Sequence, residues 1–292
     1  MKSSEKISKD RYISSEMKLP HPALARWISH YWSISGDFEP ADRNVNQTLY
    51  PGCGCAIVFQ LKEQVDVLSA KNEWTDRPIG IVEGQFLKPL QLRFAGRFHQ
   101  VGISFMPGQI PTFLRASQAE INEQFIDIRL VFGSEGALLL EQVATAATFQ
   151  EIVDIFDKFF LAHMPSNWNN CPVQNFISLA ISSQGELSVR EMAQECSISV
   201  RQLERKFHDL IGFSPKVFSR TIRFNAFLNL MQMKSSVACL RTLAHECGYF
   251  DQAHLIHDFR HFTGETPLEY FGSGHLVGSV LTENHARAQN IL

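Results

Sequence analysis

The spacing of apolar residues changes period several times along the chain, and each change marks a different kind of element. In 22–35, Leu24, Trp27, Ile28, Tyr31 and Trp32 fall at helix-like intervals before the pattern turns strand-like, and such an aromatic stripe belongs more often to a core than to a ligand cage. From 47 to 107 the apolar runs are short, branched and aromatic. Ala56-Ile57-Val58-Phe59, Val65-Asp66-Val67-Leu68, Ile79-Gly80-Ile81-Val82 and Val101-Gly102-Ile103-Ser104-Phe105 are separated by Gly, Pro or Asn. This pattern predicts a small sheet or barrel. Residues 111–116 read as a short helix, and 134–164 as two more, with Ala137, Leu138, Leu140 and Val143 and then Ile152, Ile155, Phe156, Phe159 and Phe160 as their stripes. Pro, Ser and Asn around Trp168 break the pattern, making 166–171 the expected linker.

Beyond the linker the pattern repeats. Leu203, Phe207, Gly212, Pro215 and Phe218 are matched by Leu255, Phe259, Gly264, Pro267 and Tyr270, each 52 residues on, which is an internal repeat. Ser199 and Asp251, also 52 apart, are N-cap types just ahead of the apolar pattern, and Gln202 stands at the capping-box position. Gly212 and Gly264 suit the left-handed residue that ends a helix, and Pro215 and Pro267 suit the first position of the next. From Ala193 to Leu203 is one residue shorter than from Ala244 to Leu255, which predicts a longer turn in the second copy, around Cys247-Gly248-Tyr249-Phe250. Between the copies, 215–233 carries Phe218, Ile222, Ala226, Leu230 and Met233 at spacings of four and three, the mark of one long helix.

A short helix, a tight turn and a second helix apolar on one side is the helix-turn-helix pattern that reads DNA. With Leu203, Phe207 and Leu210 inward, Arg201, Arg205 and His208 face outward, as do Ala253, His257 and Arg260 in the second copy. Two ordinary helical hairpins would also be polar outside; two copies in register with matched caps favour the DNA reader.

The expected fold class is α+β: an N-terminal small β-sheet or barrel domain with trailing helices, then an all-α domain of two helix-turn-helix units joined by a long helix. The domain boundaries expected are a frayed segment at 1–18, a regulatory domain at 19–165, the linker at 166–171, the helix-turn-helix domain at 172–273 with units at 188–212 and 240–264, and a tail at 274–292.

Composition narrows this further. At 292 residues, with 45% hydrophobic and 20% charged residues, the chain has the balance of a globular protein of two domains. No apolar run reaches the roughly 18 residues of a membrane span. The polar N-terminus does not read as a secretory signal, so a cytoplasmic location is expected. Net charge is −3, and residues 171–292 hold 11 Lys and Arg against 11 Asp and Glu, so gross charge gives no DNA signal. Placement does: Arg201, Arg205, Lys206, Lys216, Arg220 and Arg223 cluster in and just after the first recognition helix. The six cysteines show no spacing for a zinc site or a disulfide scaffold. Cys53-Gly54-Cys55 could hold a soft metal or act as a redox pair, but no further ligand stands nearby, and no cofactor is expected.

The run from Gly248-Tyr249-Phe250-Asp251-Gln252-Ala253 through His254-Leu255-Ile256-His257-Asp258-Phe259-Arg260 to Gly264-Glu265-Thr266-Pro267 resembles the signature of AraC/XylS-type transcriptional regulators, and 199–215 resembles their first unit. The resemblance implies base-reading roles for Arg201, Gln202 and Arg205 in the first recognition helix and for Gln252, Ala253 and His257 in the second. Lys206, Lys216, Arg220 and Arg260 are the expected phosphate contacts. One departure is His257, where the family commonly has Arg; the second head should be the weaker reader. In the N-terminal half, His30-Tyr31-Trp32, Leu49-Tyr50-Pro51-Gly52-Cys53 and Gly102-Ile103-Ser104-Phe105-Met106-Pro107-Gly108 resemble the poorly characterised sensor-type domain found ahead of some AraC-type DNA-binding domains. That implies regulation without naming a ligand.

The leading expectation is a sequence-specific DNA-binding transcriptional regulator that sets two recognition helices in successive major grooves and is switched by its N-terminal domain. Its expected partner is double-stranded DNA, with a small-molecule effector, RNA polymerase and a second copy as further candidates and no membrane. The alternative is a DNA-repair or methyl-acceptor protein with a fused reader and a reactive cysteine, which would need an activating setting for that thiol. The chain shows no G-x-S-x-G elbow, H-E-x-x-H or phosphate loop, so an enzyme is not expected.

Overall fold

The computed structural model describes residues 13–38, 45–69, 71–94, 96–114, 116–165, 172–234 and 240–272. The expected linker at 166–171 and tail at 274–292 lie outside the described residues.

Among the described residues, the N-terminal half is built on ten strands. These are β1 (Ile13–Lys18), β2 (Ile28–Asp37), β3 (Val45–Leu49), β4 (Ala56–Gln60), β5 (Asp66–Leu68), β6 (Trp74–Thr75), β7 (Gly80–Glu83), β8 (Leu90–Phe94), β9 (Arg97–Phe105) and β10 (Phe125–Asp127). They form two antiparallel sheets, one in the order β1-β2-β9-β4-β7-β10 and the other β3-β8-β5-β6. The first sheet is covered on both faces, and the period-2 alternation of a strand decides which side chain goes where. Trp32, Ile34, Val58, Ile81 and Phe98 point towards the second sheet and meet Leu92 and Phe94 there. Tyr31, Ile57, Phe59, Val101, Ile103 and Phe105 point the other way, onto Phe156 and Phe160 of a helical layer.

That layer consists of α1 (Gln118–Ile121), α2 (Ile128–Thr145) and α3 (Phe149–Ala162). Asp127 accepts a hydrogen bond from the Arg129 amide and caps a short first piece of α2 at 128–132; Gly133, at φ +58°, breaks it, and the helix runs on from the expected 134. Two other expectations are corrected. Residues 13–18 are not frayed: they pair along β2, from Ile13 opposite Gly36 to Lys18 opposite Tyr31, and the ladder satisfies their backbone groups. The helix-like spacing in 22–35 gives only a short 3-10 turn at Pro22–Leu24, after which the segment is strand. Trp27, Tyr31 and Trp32 are buried as a core stripe should be.

Among the described residues the C-terminal part is all helix: α4 (Pro172–Ser182), α5 (Val189–Glu195), α6 (Val200–Ile211), α7 (Pro215–Lys234), α8 (Leu240–Glu246), α9 (Gln252–Thr263) and α10 (Pro267–Gly272). α5-α6 and α8-α9 are the two predicted units, and α7 is the predicted connecting helix. The second turn, 247–251, is one residue longer than the first, 196–199, as the slip in the repeat required. Among the described residues no helix is long and apolar enough to cross a membrane.

Candidate nucleic-acid interface

Both recognition helices start and stop by the local chemistry written in their sequences. Ser199 caps α6 by accepting from the Gln202 amide, and Gln202 Oε1 returns the bond to the Ser199 amide at 3.1 Å. Asp251 caps α9 through the His254 amide at 2.7 Å. Gly212 and Gly264 end the two helices in the left-handed region, each at φ +81°.

Leu203, Phe207 and Ile211 bury the inner face of α6 against Phe176, Met192 and Phe218. The inner face of α9, Leu255, Phe259 and Phe262, packs on Phe224, Phe227 and Leu243. Burying these stripes leaves Arg201, Gln202 and Arg205 exposed along α6, and Gln252, Ala253, His257 and Arg260 exposed along α9. The hypothesised base readers therefore gather on two outward faces. Lys206 is half-buried beside them, and Lys216 is exposed at the start of α7. Gln202 is already engaged through its capping box, and His257 Nδ1 lies 3.5 Å from Asp258 Oδ1. On α9, Ala253, His257, Arg260 and His261 line a shallow groove. Burial and the nearby Arg220 cation hold His261 below the ordinary imidazole range, so it stands in the groove uncharged at neutral pH.

Arg220, expected at a phosphate, is engaged inside the domain. Its Nε and Nη2 donate to Asp258 Oδ1 at 3.1 and 2.9 Å, and its guanidinium lies 5.5 Å from the Phe262 ring centroid. Asp258 is 1% exposed and Arg220 18%, so the pair is a strut between α7 and α9. The sequence reading missed Asp258, because its partner lies 38 residues upstream and only packing brings them together. It also missed Phe250, which is 84% exposed immediately before the α9 cap; an aromatic residue in a helix-turn-helix turn was the available signal.

The N-terminal domain reaches both units. Asn122 Nδ2 donates to the Ile211 carbonyl at 2.8 Å, taking up one of the carbonyls left over at the end of α6. Tyr50 enters the core of the second unit, its ring 5.1 Å from that of Tyr270. Cys53, three residues on, is part of the core of the first. Between them the Pro51 carbonyl accepts from Asn225 Nδ2 of α7 at 3.1 Å. One loop of the N-terminal domain thus touches α7 and the cores of both units. Burial pushes the Cys53 and Cys55 thiols up to about 12, which keeps them protonated.

The fold and these two faces define a helix-turn-helix DNA-binding protein. Residues 192–273 match the family model of a helix-turn-helix domain, and residues 16–127 that of a domain of unknown function, DUF6597. The two domains make the chain a DNA-binding transcriptional regulator similar to the AraC/XylS type, with an N-terminal domain of that second kind. No curated protein matches the sequence. Among solved structures, ToxT from Vibrio cholerae is similar at 10% identity over 90% of this chain and 100% of its own, with a TM-score of 0.47. A transcriptional regulator with an AraC-type DNA-binding domain from Chromobacterium violaceum is 25% identical over 35% of this chain and 89% of its own, with a TM-score of 0.31. The DNA-binding domain of AdpA, solved with a target DNA, is 24% identical over 36% of this chain and 93% of its own, with a TM-score of 0.33.

Proposed function

We propose that each chain lays α6 and α9 into successive major grooves on one face of a duplex and that the N-terminal domain switches this arrangement. The observation that carries the reading is the pair of outward polar faces, mounted on helices that α7 joins. Twenty residues of helix extend about 30 Å at about 1.5 Å per residue, close to the roughly 34 Å between successive major grooves. Arg201 and Arg205 on α6, and Gln252 and His257 on α9, read base edges, with Gln202 joining once its capping bond yields and Ala253 offering apolar contact. Lys206, Lys216 and Arg260 meet phosphates. Arg220 and Asp258 hold α9 at its angle on α7. A small-molecule effector, RNA polymerase and a second copy of the chain are the partners this reading leaves room for, and its setting is the cytoplasm.

A reactive-cysteine enzyme gains no support from Cys53 and Cys55, since a nucleophile needs a depressed pKa and burial does the opposite here. Selection of bound sites from a random DNA pool supplies the operator. On that operator, Arg201→Ala and Arg205→Ala each lose about 1–3 kcal/mol of discrimination, whereas Lys216→Ala weakens matched and scrambled DNA alike. Equal loss of discrimination in all three overturns the assignment.

A further inference from the structure

The three N-terminal stretches that resemble a sensor-type domain lie far apart in sequence, yet they meet around one cavity. β2 and β9 pair with Trp32 opposite Gly102 and His30 opposite Ser104. A Cβ on Gly102 would stand 2.3 Å from the Trp32 ring, so glycine is what allows that ring to lie against the strand. The 50–55 loop sits beside them, its Cys55 carbonyl accepting from the Phe105 amide at 3.0 Å. The space, a partly open cavity of about 160 Å³, is walled by Trp32, Val58 and Leu92 between the two sheets and reaches Asn225 and Asn229 of α7. A cavity of roughly 150 Å³ is enough for a benzene-sized ring.

Two polar side chains in its wall have unmet hydrogen-bonding capacity. Arg77 is 3% exposed; its Nε donates to the Val65 carbonyl at 3.0 Å and its Nη1 lies 3.5 Å from Glu83 Oε2, while Nη2 is buried with no partner. Asn229 Oδ1 is likewise buried with none. An unmet buried donor and an unmet buried acceptor are each costly, and here they belong to different domains. Glu83 balances the charge of Arg77, so the wall carries no net charge to attract an ion.

We propose that this cavity is a binding site for a neutral, ring-sized molecule bearing both an acceptor and a donor, such as an aromatic amide or lactam, held jointly by the sheet domain and α7. The ring fills the space beside Trp32, its acceptor meets Arg77 and its donor meets Asn229. The proposal rests on the reading that the N-terminal domain switches the heads. A ligand joining Arg77 to Asn229 fixes α7 against the loop that enters both helix-turn-helix cores, and so fixes the angle between α6 and α9.

The test uses the full chain and three probes of similar size: benzamide, benzoate and toluene. Titration calorimetry, with saturation-transfer NMR for weak binding, should show benzamide binding more tightly than either of the others. Asn229→Leu, which keeps the volume and removes the acceptor, should weaken benzamide roughly tenfold and leave toluene unchanged. Arg77→Met should act in the same direction. Because Arg77 is buried and that variant can misfold, Asn229→Ala serves as the second variant, with the melting curve as control. Tighter binding of benzoate overturns the neutral class. Binding of no probe, or benzamide affinity indifferent to both Asn229 variants, overturns the site. DNA binding by the chain without any probe is measured separately, so a failure of the regulator reading is distinguishable from a failure of the cavity.

Discussion

The two helix-turn-helix units share a plan but are held in place differently. The first is gripped from outside: Asn122 bonds the last turn of α6, and Gly108 lies so close to Leu210 and Ile211 that a Cβ there would be 2.9 Å from Ile211 Cδ1. Asn122 is itself fixed, since its Oδ1 accepts from Gln118 Nε2 at 2.8 Å and the Gln85 amide at 3.3 Å. The second unit is held from within, by the Arg220–Asp258 strut, and meets the sheet domain through Tyr50. On the proposed reading, a signal from the N-terminal domain has a direct hold on the first recognition helix and reaches the second through α7 and the Tyr50 contact. On that reading the first head also carries the stronger readers, with two exposed arginines where the second has His257. The regulated head and the better reader would then be the same.

The largest effect expected from breaking this asymmetry is at the internal strut. Asp258→Ala leaves Arg220 largely buried and unpaired and should cost about 3–5 kcal/mol in urea unfolding, with the loss confined to the second unit. Replacing both partners, Arg220→Met with Asp258→Leu, should recover much of it, because the uncompensated charge is gone. A double variant no better than Asp258→Ala would mean the pair is not the strut described here.

Next come the two helix-ending glycines, which share a backbone angle and differ in surroundings. At Gly264 an added Cβ meets nothing within 4 Å, so Gly264→Ala should cost only the left-handed backbone penalty, about 1–2 kcal/mol. At Gly212 the same Cβ would lie 2.3 Å from Asn122 Nδ2 and 3.1 Å from the Ala119 Cα. Gly212→Ala should therefore cost more, and adding Asn122→Ala should return part of the excess. Equal losses at the two glycines would show that the sheet domain does not press on the first head.

A smaller effect is expected on the reading side. His257 is 77% exposed, with Nδ1 3.5 Å from Asp258 Oδ1. His257→Arg offers a fork of donors in place of one ring nitrogen and should tighten operator binding by about 1 kcal/mol, measured at fixed salt. No change would mean that α9 reads its groove through other residues. The smallest effect is chemical: with their thiols pushed up to about 12 and both side chains buried, Cys53 and Cys55 should resist iodoacetamide at pH 8 while half-buried Cys196 is modified, as peptide mapping would show.

Local rules explain why the C-terminal half was so legible. N-caps, a capping box, left-handed glycines and Pro-started helices act over three or four residues, so Ser199, Gln202, Gly212, Asp251 and Gly264 announced α6 and α9 without reference to anything distant. The outward positions of Arg201, Arg205, Ala253 and His257 followed, because an outward face is whatever the apolar stripe leaves, whereas the reading roles, and Gln202 and Gln252 with them, came from the family resemblance. The β runs were legible for a similar reason, their period being two. Residues 13–18 were misread because a polar edge strand gains its stability from the partner strand, and its own composition carries no trace of that. The helical spacing in 22–35 misled because β2 is covered on both faces: Tyr31 and Trp32 are buried on opposite sides of the sheet, so its apolar residues need not alternate.

What the sequence determined by itself is the set of elements and the face each presents, since these depend on neighbours within a turn or two. What only the tertiary structure decided is who touches whom across the chain. That includes Arg220 with Asp258 in place of a phosphate, Asn122 at the foot of α6, and the 50–55 loop between two helical cores. It also includes an Arg77 donor and an Asn229 acceptor brought to the wall of one cavity from opposite domains. Arg220 with Asp258 and Asn122 with the Ile211 carbonyl form because a buried polar group needs a partner wherever packing places one, and packing, which also left Arg77 Nη2 and Asn229 Oδ1 unpartnered, is a property of the whole chain.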